Sequence, residues 1–503
     1  MKVELHQARS GDATLTERVE RAGGWLVEAG RKRLLVAANA RWRAVREATS
    51  LHDADDADDA DDAMVQDLGQ GRLHGVCQKG RLFQQAHPEV PVLLDAGRYL
   101  VVDLPRSEAN RINKPLEQSE TPCFRLFPLS ESTRLFRQVA PRRDAAGSRA
   151  VDAVVASASQ ARYVTLLSQL VSYPTRLSSS AEYAQAVDWA ESQLTTAGLA
   201  VDRQQVSLPG GASSINLLAR LPGQAASPRH WLVVAHLDSV NHQGGPSAPA
   251  PGADDNASGS AALMLMAEVL AGQRFDDDLS FVLFGGEEQG LHGSRQFVAG
   301  LSAAERGRIA GVLNMDMIGS INATPAAVLL EGAPLSQDMI DGLSAAGGRF
   351  TDLELQVSLN PFASDHVPFI DAGIPAVLTI EGADGANDAI HGPNDVLATV
   401  DPSYAMKIVA MNLGFVATSA GLHAVDAPPL PECHCRGDER HHLGDPWRQL
   451  EAHHEALLAQ YRRWQGQGVW SAQLDVGWRQ AWQRLELLRS RREWERRSRS
   501  TGR

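Results

Sequence analysis

The sequence predicts an α/β fold with a mixed, mostly parallel central sheet flanked by helices. Short apolar runs rich in β-branched residues recur along the middle of the chain, and helical segments separate them. These runs show no polar alternation, which is typical of strands buried on both faces of a parallel sheet. An N-terminal accessory domain and a helical C-terminal extension are predicted on either side of this sheet.

Length and composition limit what the chain can be. Its 503 residues exceed one ordinary domain, and we predict an accessory or pro-segment-like domain over residues 1–150, a central domain over 155–425 and an extension over 426–503. The net charge of −13 argues against nucleic acid as a partner. No segment has the length of a membrane span. Residues 1–30 lack the apolar run of a signal peptide, so the sequence as it stands predicts a cytoplasmic location.

Residues 1–150 carry few signals. Gly24–Val36 and Gly97–Leu104 contain strand-like runs. Asp53–Ala63 is an Asp/Ala tract, in which like charges favour a solvated loop over a calcium site. Because this region lies directly upstream of the central domain, we hypothesise that it covers the functional site of that domain.

The stretch Trp231–Ser239 organises the central domain. Its apolar run predicts a buried strand, and His236 and Asp238 follow at the carboxyl end, where ligands bind in α/β sheets. Residues two apart on an extended chain point to the same side, so Asp238 can hold His236 in one tautomer. Metal-binding imidazoles are commonly supported in this way.

The same alternation of strands and helices continues along the central domain. The predicted helices are Tyr163–Val171, Ser180–Ala197, Ala261–Leu270 and Asp401–Ala420. The other predicted strands are Ser214–Leu221, Leu279–Phe284, Ile309–Met315 and Ile374–Ile380.

Acidic residues follow these elements in two conspicuous places. Asp254 and Asp255 lie in a glycine-bounded turn before a helix, where one can cap the helix and the other is free to bridge cations. Glu287 and Glu288 are adjacent after a predicted strand. Neighbouring buried anions repel, and a cation or one protonated carboxyl removes the conflict. A solvated loop tip is the alternative interpretation of this pair.

Six side chains at the predicted strand ends form one candidate site: His236, Asp255, Glu287, Glu288, Asp316 and His391. Imidazole nitrogen and carboxylate oxygen suit zinc. There are more carboxylates than one zinc ion needs, whereas two cations bridged by a carboxylate would use them. One glutamate then remains as a general base that carries a proton from water to a leaving amine. The implied chemistry is metal-assisted hydrolysis of an amide.

The ordered motifs resemble those of a known family. They lie within residues 155–425 and read HLDS, GADDNASG, GGEEQGLHGS, NMDMIG, SDH and IHGPND. This set is similar to that of the di-zinc aminopeptidases, which include bacterial leucyl aminopeptidases and carboxypeptidase-Q-like metallopeptidases. The resemblance implies a zinc-exopeptidase fold of the phosphorylase/hydrolase-like type and two Zn²⁺ per chain, with other divalent metals as alternatives. It also implies peptide substrates, removal of N-terminal residues, and secretion as the alternative to a cytoplasmic location.

The resemblance further implies a role for individual residues. Glu287 matches the catalytic base, and Asp255 matches the bridging carboxylate, with Asp254 as the alternative. The metal ligands implied are His236, Asp255, Glu288, Asp316 and His391. The supporting or substrate-contacting positions are Asp238, Ser364, Asp365, His366 and Asn360. Some relatives carry a tyrosine hydroxyl before SDH that stabilises the oxyanion, and here Asn360 is the donor we consider in its place.

Several other functions stay open at this stage. A dipeptidase, a carboxypeptidase or a glutaminyl cyclase on the same scaffold are enzymatic alternatives, and a non-catalytic receptor-like relative is a different class. Bound zinc separates these classes: two ions per chain for a peptidase, one for a cyclase and none for a receptor-like protein.

The C-terminal extension is rich in tryptophan and arginine. Six of the ten tryptophans lie beyond residue 440, and helical spacing recurs around Gln449–Arg463 and Trp478. Docking on the protein's own domains and contact with a partner or oligomer both stay open. The Cys433-His-Cys435 stretch lacks the usual gap between zinc-binding cysteines, so we predict an unliganded segment.

Overall fold

The structure is a computed structural model, and it describes residues 1–7, 13–49, 66–68, 72–116, 124–129, 133–140, 148–242, 244–245 and 247–423. These residues belong to one compact unit, Met1–Val425. The Asp53–Ala63 tract and the extension 426–503, for which we predict helices, an unliganded cysteine–histidine stretch and a possible oligomer contact, lie outside the described residues. Those predictions, the boundary near residue 150 and the cellular location stay predictions.

The N-terminal region contains nine strands and four α-helices among its described residues. The strands are β1 (Lys2–Gln7), β2 (Gly24–Ala29), β3 (Lys32–Ala37), β4 (Gln66–Asp67), β5 (Leu73–Gln78), β6 (Val92–Ala96), β7 (Tyr99–Asp103), β8 (Phe124–Pro128) and β9 (Thr133–Val139). The helices are α1 (Ala13–Arg21), α2 (Trp42–Thr49), α3 (Leu82–Ala86) and α4 (Arg106–Leu116).

The central region continues the chain with eight further strands and nine α-helices in its described part. The strands are β10 (Ala200–Ser207), β11 (Ser213–Leu221), β12 (His230–His236), β13 (Asp278–Phe284), β14 (Ile309–Met315), β15 (Ala327–Glu331), β16 (Glu354–Ser358) and β17 (Ala376–Glu381). The helices are α5 (Arg149–Ser157), α6 (Gln160–Val171), α7 (Ala181–Thr196), α8 (Gly259–Ala271), α9 (His292–Gly300), α10 (Ala303–Arg308), α11 (Gln337–Phe350), α12 (His366–Asp371) and α13 (Pro402–Ser419). None of the described helices is long and apolar enough to cross a membrane.

One large sheet joins the two regions. Its described strands follow the order β10-β11-β13-β12-β14-β17-β15-β16-β9-β2-β3-β1-β4. At its centre β12 is parallel to both β13 and β14, and β14 is parallel to β17. The sheet passes into the N-terminal region at β9, which pairs antiparallel with β16 and parallel with β2. A second, antiparallel sheet has the order β6-β7-β5-β8.

Strand β12 shows why the centre of the sheet is apolar on both faces. Val233 and Ala235 belong to a core with helices that include α6, α7, α8 and α13. Leu232 and Val234 face the opposite way, into a core with Phe297 of α9 and with α12. Successive side chains of a strand point to opposite faces, so a strand covered by helices on both sides must be apolar at every position.

The α/β prediction with a mostly parallel sheet between helices is confirmed. The predicted strand Ile309–Met315 coincides with β14, and the predicted serine start of α7 is a helix cap, since the side chain of Ser180 accepts a hydrogen bond from the Tyr183 amide at 3.0 Å. The sequence did not indicate β15, β16 or the extension of the sheet into residues 1–140.

Candidate metal centre

The carboxyl ends of three parallel strands meet at one edge of the large sheet. His236 is the last residue of β12, Asp316 directly follows β14, and the pair Glu287 and Glu288 lies in the turn after β13. Because β12 lies between the other two strands and runs in their direction, these side chains share one edge of the sheet. Asp255, from the turn before α8, and His391, from the loop after β17, complete the site.

Asp255 lies between two groups of side chains. Its Oδ1 atom is 3.2 Å from Nε2 of His236, and its Oδ2 atom is 3.0 Å from Nε2 of His391. The same nitrogen of His236 is 3.2 Å from Oδ1 of Asp316, and that of His391 is 3.4 Å from Oε2 of Glu288. One carboxylate therefore faces two histidine–carboxylate pairs, one with each of its oxygens.

These donors fit divalent metal. Three overlapping groups have ligand atoms within 4.8 Å of one another: His236 with Glu287 and Asp316, His236 with Asp255 and Glu288, and His242 with Glu288 and His391. The Oε1 atom of Glu288 is buried without a hydrogen-bond partner, whereas buried carboxylate oxygens usually accept a hydrogen bond. A metal ion would stabilise this oxygen in place of a hydrogen bond. Imidazole nitrogens and carboxylate oxygens at this density are the donors that zinc accepts.

The electrostatics of the site favour a cation. Burial and the charge of Asp255 raise the pKa of Glu288 to about 7. Burial alone would lower the pKa of His236, but Asp316 and Glu287 outweigh burial and raise that pKa well above its usual value. The carboxylates thus attract a proton to the imidazole, and the same field attracts a metal ion.

Asp238 supports both the histidine and the glutamate pair. Its two carboxylate oxygens accept hydrogen bonds from the backbone amides of Glu287 at 3.3 Å and Glu288 at 3.2 Å. Its backbone carbonyl lies 3.2 Å from Nδ1 of His236, which leaves Nε2 directed at the centre. Asp238 therefore fixes the ring of one candidate ligand and the loop that carries two carboxylates.

Ser364 holds a candidate ligand from behind. Its hydroxyl donates to Oδ2 of Asp316 at 2.6 Å and accepts from Nδ2 of Asn314 at 2.7 Å. Asn314 lies on β14, where its side chain is fully buried. The sequence does not indicate a role for Asn314, because a polar residue inside an apolar strand carries no local indication of its partner.

Three predicted supporting residues, all within the described part of the chain, form no hydrogen bond or ion pair with the six residues of the centre. The ring of His366 lies 3.3 Å from Oε1 of Glu331, and the amide of Asn360 donates to the Leu135 carbonyl at 3.0 Å. Asp365 is buried without a hydrogen-bond partner for either carboxylate oxygen, and burial together with the charge of Glu287 raises its pKa well above the usual value. The side-chain amide of Asn360 is therefore bonded to the N-terminal strand β9, and its part in substrate binding stays a prediction.

Asp254, the alternative to Asp255, is hydrogen-bonded to neighbouring loops of the fold. Its carboxylate accepts from the Gly319 amide at 2.8 Å and from the Asn387 side chain at 2.7 Å. Asp395 in turn accepts from the backbone amides of Asp254 and Asp255, at 2.8 and 2.9 Å. The carboxylate of Asp395 therefore fixes the turn that carries Asp255, a role that the sequence analysis did not assign.

Lys79 is the least expected residue of the site. It comes from the N-terminal region, and its Nζ atom lies 3.1 Å from Oε1 of Glu287. The pocket over the centre is lined by Lys79, Gly80 and Arg98 from that region and by residues of the central region that include Glu287 and His391. A single lysine between two short elements gave no signal in the sequence.

The fold and the site together define a class of protein. A parallel sheet whose carboxyl edge presents two imidazoles and four carboxylates, one of which faces both imidazoles, is typical of a metal-binding hydrolase domain. Residues 216–416 match the model of peptidase family M28. This stretch of the chain is therefore similar to the members of that family.

Curated relatives are similar to this chain over part of its length. Leupeptin-inactivating enzyme 1 of Streptomyces exfoliatus is 36% identical over 207 residues, which are 41% of this chain and 44% of that enzyme. Leucine aminopeptidase 1 of Trichophyton equinum is 25% identical over 305 residues, which are 54% of this chain and 77% of that protein. The chain spans about half the length of the first curated relatives that it matches, 44% and 56%.

Solved structures share the fold. The LapA aminopeptidase of Legionella pneumophila superposes with a TM-score of 0.50 at 17% identity, covering 69% of this chain and 98% of LapA. LapB of the same organism gives a TM-score of 0.50 at 16% identity, covering 69% of this chain and 99% of LapB. This chain therefore shares the fold of these two structures over that part of its length.

Proposed function

We propose that this protein is a zinc-dependent aminopeptidase that removes N-terminal residues from peptides. The observation that carries the proposal is the position of Asp255 between His236 and His391, at 3.2 and 3.0 Å, with Asp316 and Glu288 completing the two pairs. Two ions that share one carboxylate would use all five donors. The names of the relatives, leucine aminopeptidase among them, support an exopeptidase that acts at the amino terminus.

In this proposal Glu287 is the general base. Its side chain is buried, and burial is the main reason that its pKa is raised above the usual value. A zinc ion held by His236, Asp316 and the other proposed ligands would supply Lewis acidity toward the scissile carbonyl of a bound peptide. The Glu287 carboxylate takes a proton from the attacking water and delivers it to the leaving amine. Asp238 holds the Glu287 amide at 3.3 Å and so keeps the base directed at the centre.

Metal content tests the proposed centre. Purified full-length protein loaded with zinc should hold two ions per chain by mass spectrometry, and a chelator should abolish hydrolysis of leucyl-4-nitroanilide. Asp255→Ala should lose zinc and activity, because that carboxylate faces both histidines. Loss of a residue that only hydrogen-bonds to a metal ligand lowers metal affinity by about 10–100-fold. Loss of a carboxylate shared by two ions should lower it at least as much.

The control for this test is Asp338→Ala, an exposed position in the first turn of α11. It should keep both ions and full activity. One zinc ion per chain would favour a cyclase over the peptidase, and no zinc under any loading condition would reject the metal centre altogether.

A further inference from the structure

The turn after β5 carries Lys79 from the N-terminal region into the metal centre. The Nζ atom of Lys79 lies 3.1 Å from Oε1 of Glu287, the proposed base. The Lys79 side chain is 19% exposed and that of Glu287 only 2%. The ammonium group therefore covers the catalytic carboxylate and retains a path to solvent along its own stem.

The space left over the centre is small. The cavity between Lys79 and the carboxylates has a volume of about 20 Å³. A cavity of this size holds about one water molecule, since one needs roughly 10–15 Å³ of such volume. An aminoacyl group is far larger than one water molecule. An aminoacyl group therefore does not fit within this cavity while Lys79 stays in place.

The chemistry of the subsite matches an ammonium group. The Lys79 ammonium lies 3.1 Å from the Glu287 carboxylate, and a contact with an opposite charge favours the charged form of the side chain. The substrate of an aminopeptidase also carries a free ammonium group at its amino terminus. Lys79 thus presents to Glu287 the same charged group that a peptide would bring.

The position of Lys79 is fixed by the packing of its region. Cys77 of β5 pairs with Tyr99 of β7, and the Gln78 amide donates to the Arg98 carbonyl at 2.9 Å. Gly80 has a φ of +48°, and a Cβ atom there would lie 3.2 Å from the side chain of Ile390, the neighbour of His391. The turn is therefore docked directly against the loop that supplies a candidate metal ligand.

We propose that Lys79 is an autoinhibitory side chain that occupies the subsite for the amino group of the substrate and must withdraw before a peptide binds. This inference rests on the proposed aminopeptidase function. It gives the N-terminal region a defined action on the site, through one ammonium group and one carboxylate. Deleting the region would be a poor test, because β9 pairs with β16 and its removal would expose a strand edge of the central sheet.

Lys79→Met tests the inference, because methionine keeps much of the apolar stem and removes the charge. We expect zinc-loaded Lys79→Met to bind L-leucinol, an amino alcohol with no bond to hydrolyse, on the order of tenfold more tightly by calorimetry. If Lys79 occupies the subsite in most protein molecules at any moment, only a small fraction of them can bind L-leucinol. Removing the lysine then raises the apparent affinity by the inverse of that fraction. The KM for leucyl-4-nitroanilide should fall by a similar factor with little change in kcat. Arg81→Met is the matched control, since Arg81 pairs with Asp95 at the surface of the same turn.

Unchanged or weaker binding of L-leucinol by Lys79→Met would overturn the inference, as would a lower kcat, which would make Lys79 a contributor to the reaction. If Lys79→Met does not fold, a measurement on the unmodified protein tests the inference instead. Saturating L-leucinol should speed hydrogen exchange in residues 73–86, and no change there contradicts the withdrawal of Lys79. Absence of hydrolysis by both proteins rejects the proposed function, whereas the calorimetric comparison addresses Lys79 alone.

Discussion

Glu287→Gln should lower the turnover of leucyl-4-nitroanilide by about 10²–10⁴-fold, the usual contribution of a general base. Glutamine has nearly the same shape and still offers an oxygen to the Lys79 ammonium, but it cannot accept the proton of the attacking water. The substitution leaves the five proposed metal ligands in place, because Glu287 is not one of them. These ligands are Asp255, the two histidines that it faces, and the carboxylates paired with those histidines, Asp316 and Glu288. Steady-state kinetics and zinc analysis on the same preparation measure both expectations.

The matched control for this substitution is Glu305→Gln. Glu305 is an exposed residue whose side chain closes a capping box with Ser302 at the start of α10, and glutamine serves equally well there. It should leave kcat, KM and zinc content unchanged. Full activity in Glu287→Gln would reject Glu287 as the base, and loss of zinc in that variant would reassign it to the metal ligands.

The residues at the strand ends were predictable from the sequence for a physical reason. Apolar runs mark buried strands, and the chain direction then fixes which polar residue lies at the carboxyl end, as with His236 at the end of β12 and Asp316 after β14. Parallel neighbours bring these ends to one edge. Asp255 and His391 lie in loops, and for them the ordered resemblance supplied the expectation.

The contacts of the N-terminal region were beyond local patterns. Strand β9 pairs with β16 far along the chain, and nothing in either segment specifies the other. The position of Asn360 relative to SDH suggests an oxyanion donor, but its side-chain amide donates to the Leu135 carbonyl of β9. Lys79 reaches Glu287 through the same long-range packing. Pairings between distant segments depend on the whole fold, whereas periodicity reports only on neighbours in sequence.

Arg98 is the main polar connection between the N-terminal and central regions. Its guanidinium group donates to both oxygens of Glu331, at 2.9 and 3.0 Å, and to Asp384 at 3.1 Å. All three side chains are buried, with at most 4% exposure. Burial alone would raise the pKa of Glu331, but Arg98 and His366 together outweigh burial and hold that pKa at about 2. For Asp384, burial exceeds the effect of Arg98, and the pKa is raised to about 6.

Arg98→Met should therefore lower the free energy of unfolding by about 3–5 kcal/mol, because two carboxylates are left buried without their cation. Chemical denaturation followed by tryptophan fluorescence measures this loss. Arg72→Met is the control: Arg72 pairs with Asp103 in a partly exposed position, where such a pair contributes about 0–1 kcal/mol. An equal, small loss in both variants would show that the Arg98 network does not hold the regions together.

The deficit of Arg98→Met should also depend on pH, and its sign follows from linkage. Without the guanidinium group the folded-state pKa values of Glu331 and Asp384 both rise. As the pH falls, the folded variant therefore binds protons at pH values where the same carboxyl groups of the unfolded chain are still ionised. A carboxyl group with a raised folded pKa destabilises the fold at high pH and less so as the pH falls through that pKa. The difference from the unmodified protein should shrink as the pH falls from about 8 to about 5. A deficit that stays constant or grows over this range would mean that the two carboxyl groups are not the source of the instability.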